Sequence, residues 1–83
     1  MESLYEDVFF QVFMKIVFSI HVKERLEIRK ILEEEVIEAI QFPFLVIKKQ
    51  GKCFYQKKLQ RGMIEVCCEV RESDIKVTTV YWI

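Results

Sequence analysis

His21, Arg25 and Arg29 stand four residues apart in a segment that reads as helix. At roughly 100° per residue the three stack into one cationic row. Val22, Leu26, Ile28 and Leu32 fall on either side of that row, and Lys23, Glu24, Glu27 and Lys30 take the opposite side. The row is therefore expected inside the apolar face of the helix. Cations there are costly unless a carboxylate meets them or they line a cleft, and a cleft so lined suits an anion.

A second concentration of positive charge lies further along. Lys48, Lys49, Lys52, Lys57, Lys58 and Arg61 give six cations between residues 48 and 61 with no acid among them. The acids gather elsewhere, notably Glu33, Glu34, Glu35 and Glu38. The whole chain carries 13 basic and 13 acidic residues, so it is not a polycation, and a nucleic-acid reading rests on this local asymmetry.

Eighty-three residues make one domain with a single modest core. A hydrophobic fraction of 52%, with 13% aromatic, argues for a packed globule and against disorder. Cys53, Cys67 and Cys68 have no CxxC spacing and no second histidine to complete a metal set, so neither metal nor cofactor is expected. Adjacent Cys67 and Cys68 would point to opposite faces of a strand, and free thiols in a reducing cytoplasm are the expectation. The apolar stretch from Val8 to Ile20 is interrupted by Gln11, Lys15 and Ser19 and is too short to span a bilayer. Its flank of Glu2, Glu6 and Asp7 is wrong for a signal peptide.

The elements that must position these residues follow from the change of period along the chain. Lys15 to Ile20 is β-branched and aromatic and reads as a strand. A helix follows from His21 to Lys30 with Ser19 as N-cap. A second helix from Glu33 to Gln41 turns Val36, Ile37 and Ile40 inward, sets its glutamates against the positive end of the helix dipole, and stops at Pro43. Phe44 to Lys49 and Lys52 to Leu59 form a hairpin about Gln50-Gly51. Met63 to Arg71 alternates apolar and polar residues, and Ile75 to Ile83 closes the chain. The expected fold is α+β, with two helices packed on one face of a mostly antiparallel four- to five-stranded sheet in the order β-α-α-β-β-β-β. The apolar last strand is expected inside the sheet, beside the first, so that Tyr81 and His21 share a site.

The pattern His21, Arg25, Arg29, an acidic helix ending at Pro43, Gly51 with Tyr55 and Lys57, Gly62, and Val77-Thr-Thr-Val-Tyr-Trp-Ile83 resembles the small BrnT-like domains of unknown function within the RelE/ParE-like toxin superfamily. The resemblance covers residues 14–83. It implies a compact RelE-like fold, an mRNA-cleaving toxin activity that often depends on the ribosome, no metal, and a cognate antitoxin. Members of that family are commonly basic. Here the segment 14–83 carries 13 cations and 10 acids, because Glu2, Glu6 and Asp7 precede it.

Metal-free RNA cleavage needs the 2′-hydroxyl deprotonated, the charge growing on phosphate stabilised, and the leaving oxygen protonated. Arg25 and Arg29 suit the second task, since a guanidinium forks onto phosphate oxygens and stays charged. A histidine is the side chain best matched to proton transfer, and His21 supplies one. Lys57 and Tyr55 share one face of their strand, and Tyr81 offers a phenol as proton donor or stacking platform. The expected catalytic set is His21, Arg25, Arg29, Lys57 and Tyr81, with Lys48, Lys49, Lys52, Tyr55, Lys58 and Arg61 along the RNA. Plainer roles stand beside these. Arg25 and Arg29 can run their stems along the core and pair with Glu65 or Glu69, the lysines can simply guard an edge strand, and Tyr55 and Tyr81 can be core.

Two classes of function remain open at this stage: an endoribonuclease toxin acting on mRNA or the ribosome, and a non-catalytic protein- or RNA-binding module or homodimer on the same fold. Convergence of His21, Arg25 and Lys57 on a concave surface favours the first. Sealing of the arginines by carboxylates favours the second. Residues 1–13 form an extension whose Leu4, Val8 and Val12, with Tyr5, Phe9 and Phe13 beside them, fit one apolar stripe of a short helix expected to dock on the domain or on a second copy.

Overall fold

The structure, a computed structural model, describes residues 15–83. The expectations for residues 1–13 lie outside the described residues. The elements run β1 (Lys15–Phe18), α1 (Ile20–Arg29), α2 (Glu33–Gln41), β2 (Leu45–Lys49), β3 (Lys52–Leu59), β4 (Gly62–Val70) and β5 (Asp74–Trp82). This is the expected order, with five strands in the sheet.

Local chemistry sets the boundaries. β1 is shorter than the β-branched run because Ser19 intervenes as an N-cap: its Oγ accepts from the Val22 N–H at 3.2 Å, and the helix starts at Ile20. α1 ends where Lys30 turns left-handed, with φ 60°, and Ile31 N–H reaches back to the Leu26 carbonyl at 2.9 Å. α2 begins at Glu33. The Leu32 N–H donates to the Glu35 carboxylate at 3.0 Å, which is half of a capping box, and three glutamates fill the first turn. Pro43 stops it. Gln50 and Gly51, at φ 51° and 79°, form the two-residue turn that joins β2 to β3.

The sheet order is β1-β5-β4-β3-β2. β2 to β5 form an antiparallel meander, and β1 lies parallel to β5, with Lys15 opposite Asp74 and Phe18 opposite Val77. The last strand is therefore interior, as expected. Its pairing with β4 slips once: Cys68 faces Val77 and Cys67 faces Thr79, so Thr78 is an extra residue, a β-bulge. Because of it, the residues that β5 turns toward the helices are Ile75, Val77 and Val80, each buried, with Trp82 packed beside them.

Both helices cover one face of the sheet. Val22 and Leu26 of α1 and Val36, Ala39 and Ile40 of α2 close over Cys53, Tyr55, Ile64, Val66, Cys68, Ile75, Val77 and Val80. The buried stripe of α1 is narrower than its sequence suggests. Ile28 is 75% exposed and Leu32 59%, so the cationic row flanks a Val22–Leu26 stripe and does not sit within an apolar face. Ile37 is only half-buried. No helix among the described residues is long and apolar enough to cross a membrane.

The contrast within α1 is measurable. Leu26→Ala removes a side chain that is 3% exposed and is expected to cost about 2–5 kcal/mol, whereas Ile28→Ala should stay within about 0.5 kcal/mol of the parent. Urea unfolding of both variants checks the assignment, and equal losses would place Ile28 in the core.

Candidate phosphate cleft

β1 ends opposite Val77, and beyond that point α1 takes its place beside β5. The Arg29 guanidinium donates to the Val80 carbonyl, and the Trp82 indole N–H donates back to the Arg29 carbonyl at 2.8 Å. These two contacts hold the end of α1 against the end of β5. Between the start of α1 and the bulge lies a cleft of about 170 Å³, lined by Ser19, His21, Val22, Arg25, Thr78, Thr79 and Val80. His21 and Arg25, one helical turn apart, are both exposed at its mouth. The Thr78 hydroxyl donates to the Cys67 carbonyl at 2.9 Å, which fixes its oxygen on the bulge.

The cleft is sized and charged for a small anion. At about 30 Å³ per water, it has room for a phosphoryl group with a few waters. The guanidinium supplies a fixed charge and a fork of donors, the Ser19 hydroxyl, which accepts from Val22, keeps its own proton to donate, and the first turn of α1 adds the positive end of the helix dipole.

The remaining expected site residues are elsewhere. Lys57 donates from Nζ to the Phe42 carbonyl at 2.9 Å and so satisfies the carboxyl end of α2. That helix packs over β3 and β4 while α1 lies along β5, so Lys57 does not converge with His21 and Arg25. Tyr81 is also separated from His21. Its hydroxyl donates to Glu65, which accepts from Gln56 Nε2 at 2.9 Å as well. These three stand in register across β3, β4 and β5 and alternate with core residues, which puts them on the face away from the helices. The bond to Glu65, helped by burial, pushes the Tyr81 phenol up to about 12 and makes it a poor proton donor at neutral pH.

Tyr55 is core: it is 1% exposed, its hydroxyl has no hydrogen-bond partner among the described residues, and burial drives its pKa upward. Arg61 is spent on structure. It forks onto both Glu35 carboxylate oxygens at 2.8 and 2.9 Å, donates to the Lys30 carbonyl at 3.1 Å, and lies 5.5 Å from the Trp82 ring centre. Lys58 sits 5.3 Å from the ring centre of Phe44. Lys48, Lys49 and Lys52 border a shallow depression at the β2–β3 turn with Gln50, Gly51, Cys53 and Val70. That turn belongs to the opposite side of the sheet from α1, with β4 and β3 between, so the row and the hairpin do not line a common groove. Nor are Arg25 and Arg29 sealed by carboxylates: Glu65 serves Gln56 and Tyr81 instead.

Thr78 and Thr79 were not among the expected site residues. Their signal is present in the sequence: in Val77-Thr-Thr-Val80 the apolar positions are three apart, where an unbroken strand would space them by two, and that spacing marks a bulge.

A family model described as a domain of unknown function (DUF4258) matches residues 18–82, and the chain belongs to that family. Among curated proteins and solved structures, nothing matches the chain.

The Arg61–Glu35 pair carries a pH signature. The guanidinium holds the Glu35 carboxyl below its ordinary value of 4.5, so the folded state binds this proton less readily than the unfolded chain. That contribution is present above about pH 4.5 and is lost as pH falls through the depressed value. Thermal melts of the parent should therefore drop in midpoint between neutral and acidic pH, and Arg61→Met should start lower and drop less. Parallel curves for the two proteins would remove the pair from the account.

Proposed function

We propose that this domain binds RNA through a backbone phosphate at the α1–β5 cleft and cleaves it without a metal, as the toxin of a toxin–antitoxin pair. The observation that carries the reading is the placement of His21 and Arg25 side by side at an open cleft on the bulge. Support also comes from the resemblance of the His21, Arg25, Arg29 pattern and the Val77 to Ile83 segment to BrnT-like domains of the RelE/ParE-like superfamily. In this reading Arg25 forks onto the non-bridging oxygens of the scissile phosphate and offsets the charge that grows there. His21 exchanges a proton with the 2′-hydroxyl or the 5′-leaving oxygen. The 2′-oxygen bonds to phosphorus, the bond to the 5′-oxygen breaks, and the products are a 2′,3′-cyclic phosphate and a 5′-hydroxyl. Arg29 acts at one remove: committed to the Val80 carbonyl, it positions the helix.

A second reading rests on a specific feature of the same cleft. Among its lining residues, His21 is the one side chain built for proton transfer, and Tyr81 and Lys57, which would supply a partner, are engaged elsewhere. A cleft with one such group binds a phosphate without cutting the chain, and the domain is then a binding module for RNA.

Induced expression in a bacterium, with growth and mRNA integrity followed, separates the two. Growth arrest with cut mRNA is expected for the parent, and Arg25→Ala and His21→Ala should each relieve it while melting within a few degrees of the parent. Lys23→Ala, on the other side of α1, should change nothing. A harmless parent whose purified protein leaves RNA whole in the presence of ribosomes would reject cleavage. RNA affinity indifferent to Arg25→Ala and to salt would reject the cleft as a phosphate site altogether.

A further inference from the structure

Among the described residues β2 is the outer strand beside β3, and all five of its residues are exposed. Phe42, Phe44, Leu45, Val46 and Ile47 form one short run of large apolar side chains at 38% to 63% exposure. An apolar edge of this kind is a template for another strand, and proteins ordinarily blunt it with charge, proline or a bulge along its length. Here Pro43 and the Lys48-Lys49 pair stand only at its ends. Which backbone groups face outward follows from the turn. In a two-residue turn the flanking residues, Lys49 and Lys52, form a hydrogen-bonded pair. By alternation Ile47 and Leu45 also turn their N–H and C=O toward β3, and the N–H and C=O of Val46 and Lys48 point away from the sheet. The Phe44 N–H is already taken by the Gln56 carbonyl at 2.7 Å.

We propose that this edge pairs with the same edge of a second copy of the chain, antiparallel and with Val46 on the two-fold axis, so that two five-stranded sheets become one. In that register each Val46 exchanges its N–H and C=O with its counterpart. Leu45 stands opposite Ile47 of the other copy, and Phe44 opposite Lys48, whose N–H meets the Phe44 carbonyl. Charge selects this register over its neighbours. The two Lys48 residues lie four residues apart along the strands, about 13 Å at 3.3 Å per residue, which exceeds the Debye length of about 8 Å at physiological salt. Moving the axis to Ile47 keeps the backbone pairing but brings the two Lys48 to diagonal positions about 7–8 Å apart, and moving it to Lys48 sets like charges directly opposite. The apolar Leu45-Val46-Ile47 centre is self-complementary, as a two-fold interface requires.

The test is the solution mass of the full chain by light scattering across a wide range of concentration, with two kinds of variant. The parent is expected at twice the mass of one chain, falling toward one on dilution. Val46→Pro removes an outward N–H and leaves the ladder to β3 intact, so it should be monomeric with an unchanged circular dichroism spectrum. Val46→Cys should form an intermolecular disulfide under mild oxidation, because residues directly opposite in a hydrogen-bonded pair have Cα atoms about 5.5 Å apart. Lys49→Cys, six residues along from its counterpart in this register, should not. If Val46→Pro fails to fold, the two cysteine variants decide alone. A chain that is monomeric throughout, a dimer untouched by Val46→Pro, cross-linking by Lys49→Cys as efficient as by Val46→Cys, or a monomer that instead takes up an acidic peptide strand at this edge would each overturn the proposal.

Discussion

β1 stops opposite Val77 while β5 continues to Trp82, and the rest of the molecule is arranged around the stretch of edge this leaves. Backbone groups on an edge next to a packed core need partners. α1 supplies them with a side chain in place of a strand, through the Arg29 guanidinium on the Val80 carbonyl, and the Trp82 indole returns a bond to the helix. A helix tied to a strand at its far end can turn only one face inward, and Val22 and Leu26 take it. His21 and Arg25, on the same row as Arg29 but nearer the helix start, are thereby carried to the cleft at Thr78 and Thr79.

The cations of the chain divide by what they touch. Arg29, Lys57 and Arg61 all reach backbone carbonyls, two of them at helix ends where orphan acceptors gather. A carbonyl is a sound partner for a half-buried cation because the hydrogen bond needs no second charge to be desolvated. This division explains why a run of positive charge in the sequence overstated the basic surface. Lys57 and Arg61 belong to the framework, Lys58 lies against Phe44, and the hairpin lysines at 48, 49 and 52 remain at the turn.

The fold was legible because its signals are local. Ser19 as a cap, Pro43 as a stop, Gln50-Gly51 as a turn and the alternation through β4 each act within a few residues, and the element order follows from them. The site was legible in part. The spacing of His21 and Arg25 fixed their common face, but what faced them depended on the bulge, which shifts the phase of β5 between Val77 and Val80 and sends Tyr81 to the far side of the sheet. An unbroken alternation would have set residue 81 on the same face as Val77. Lys57 was misplaced for another reason: its strand face was evident, but the carbonyl at the end of α2 that draws its ammonium is a tertiary partner 15 residues away.

The bulge has a consequence for how the cleft is understood. Without the extra residue at Thr78, Val80 and Trp82 would fall on the wrong face, and both the core and the tie to Arg29 would be lost. The concavity is therefore a product of folding, and substitutions at Thr78 disturb stability and site together. His21 and Arg25 differ in this respect. Both are exposed, and neither forms a side-chain hydrogen bond or ion pair among the described residues. Surface side chains of that kind contribute little to stability, so their place at the cleft mouth carries no structural obligation, and a ligand that meets them there competes with water alone.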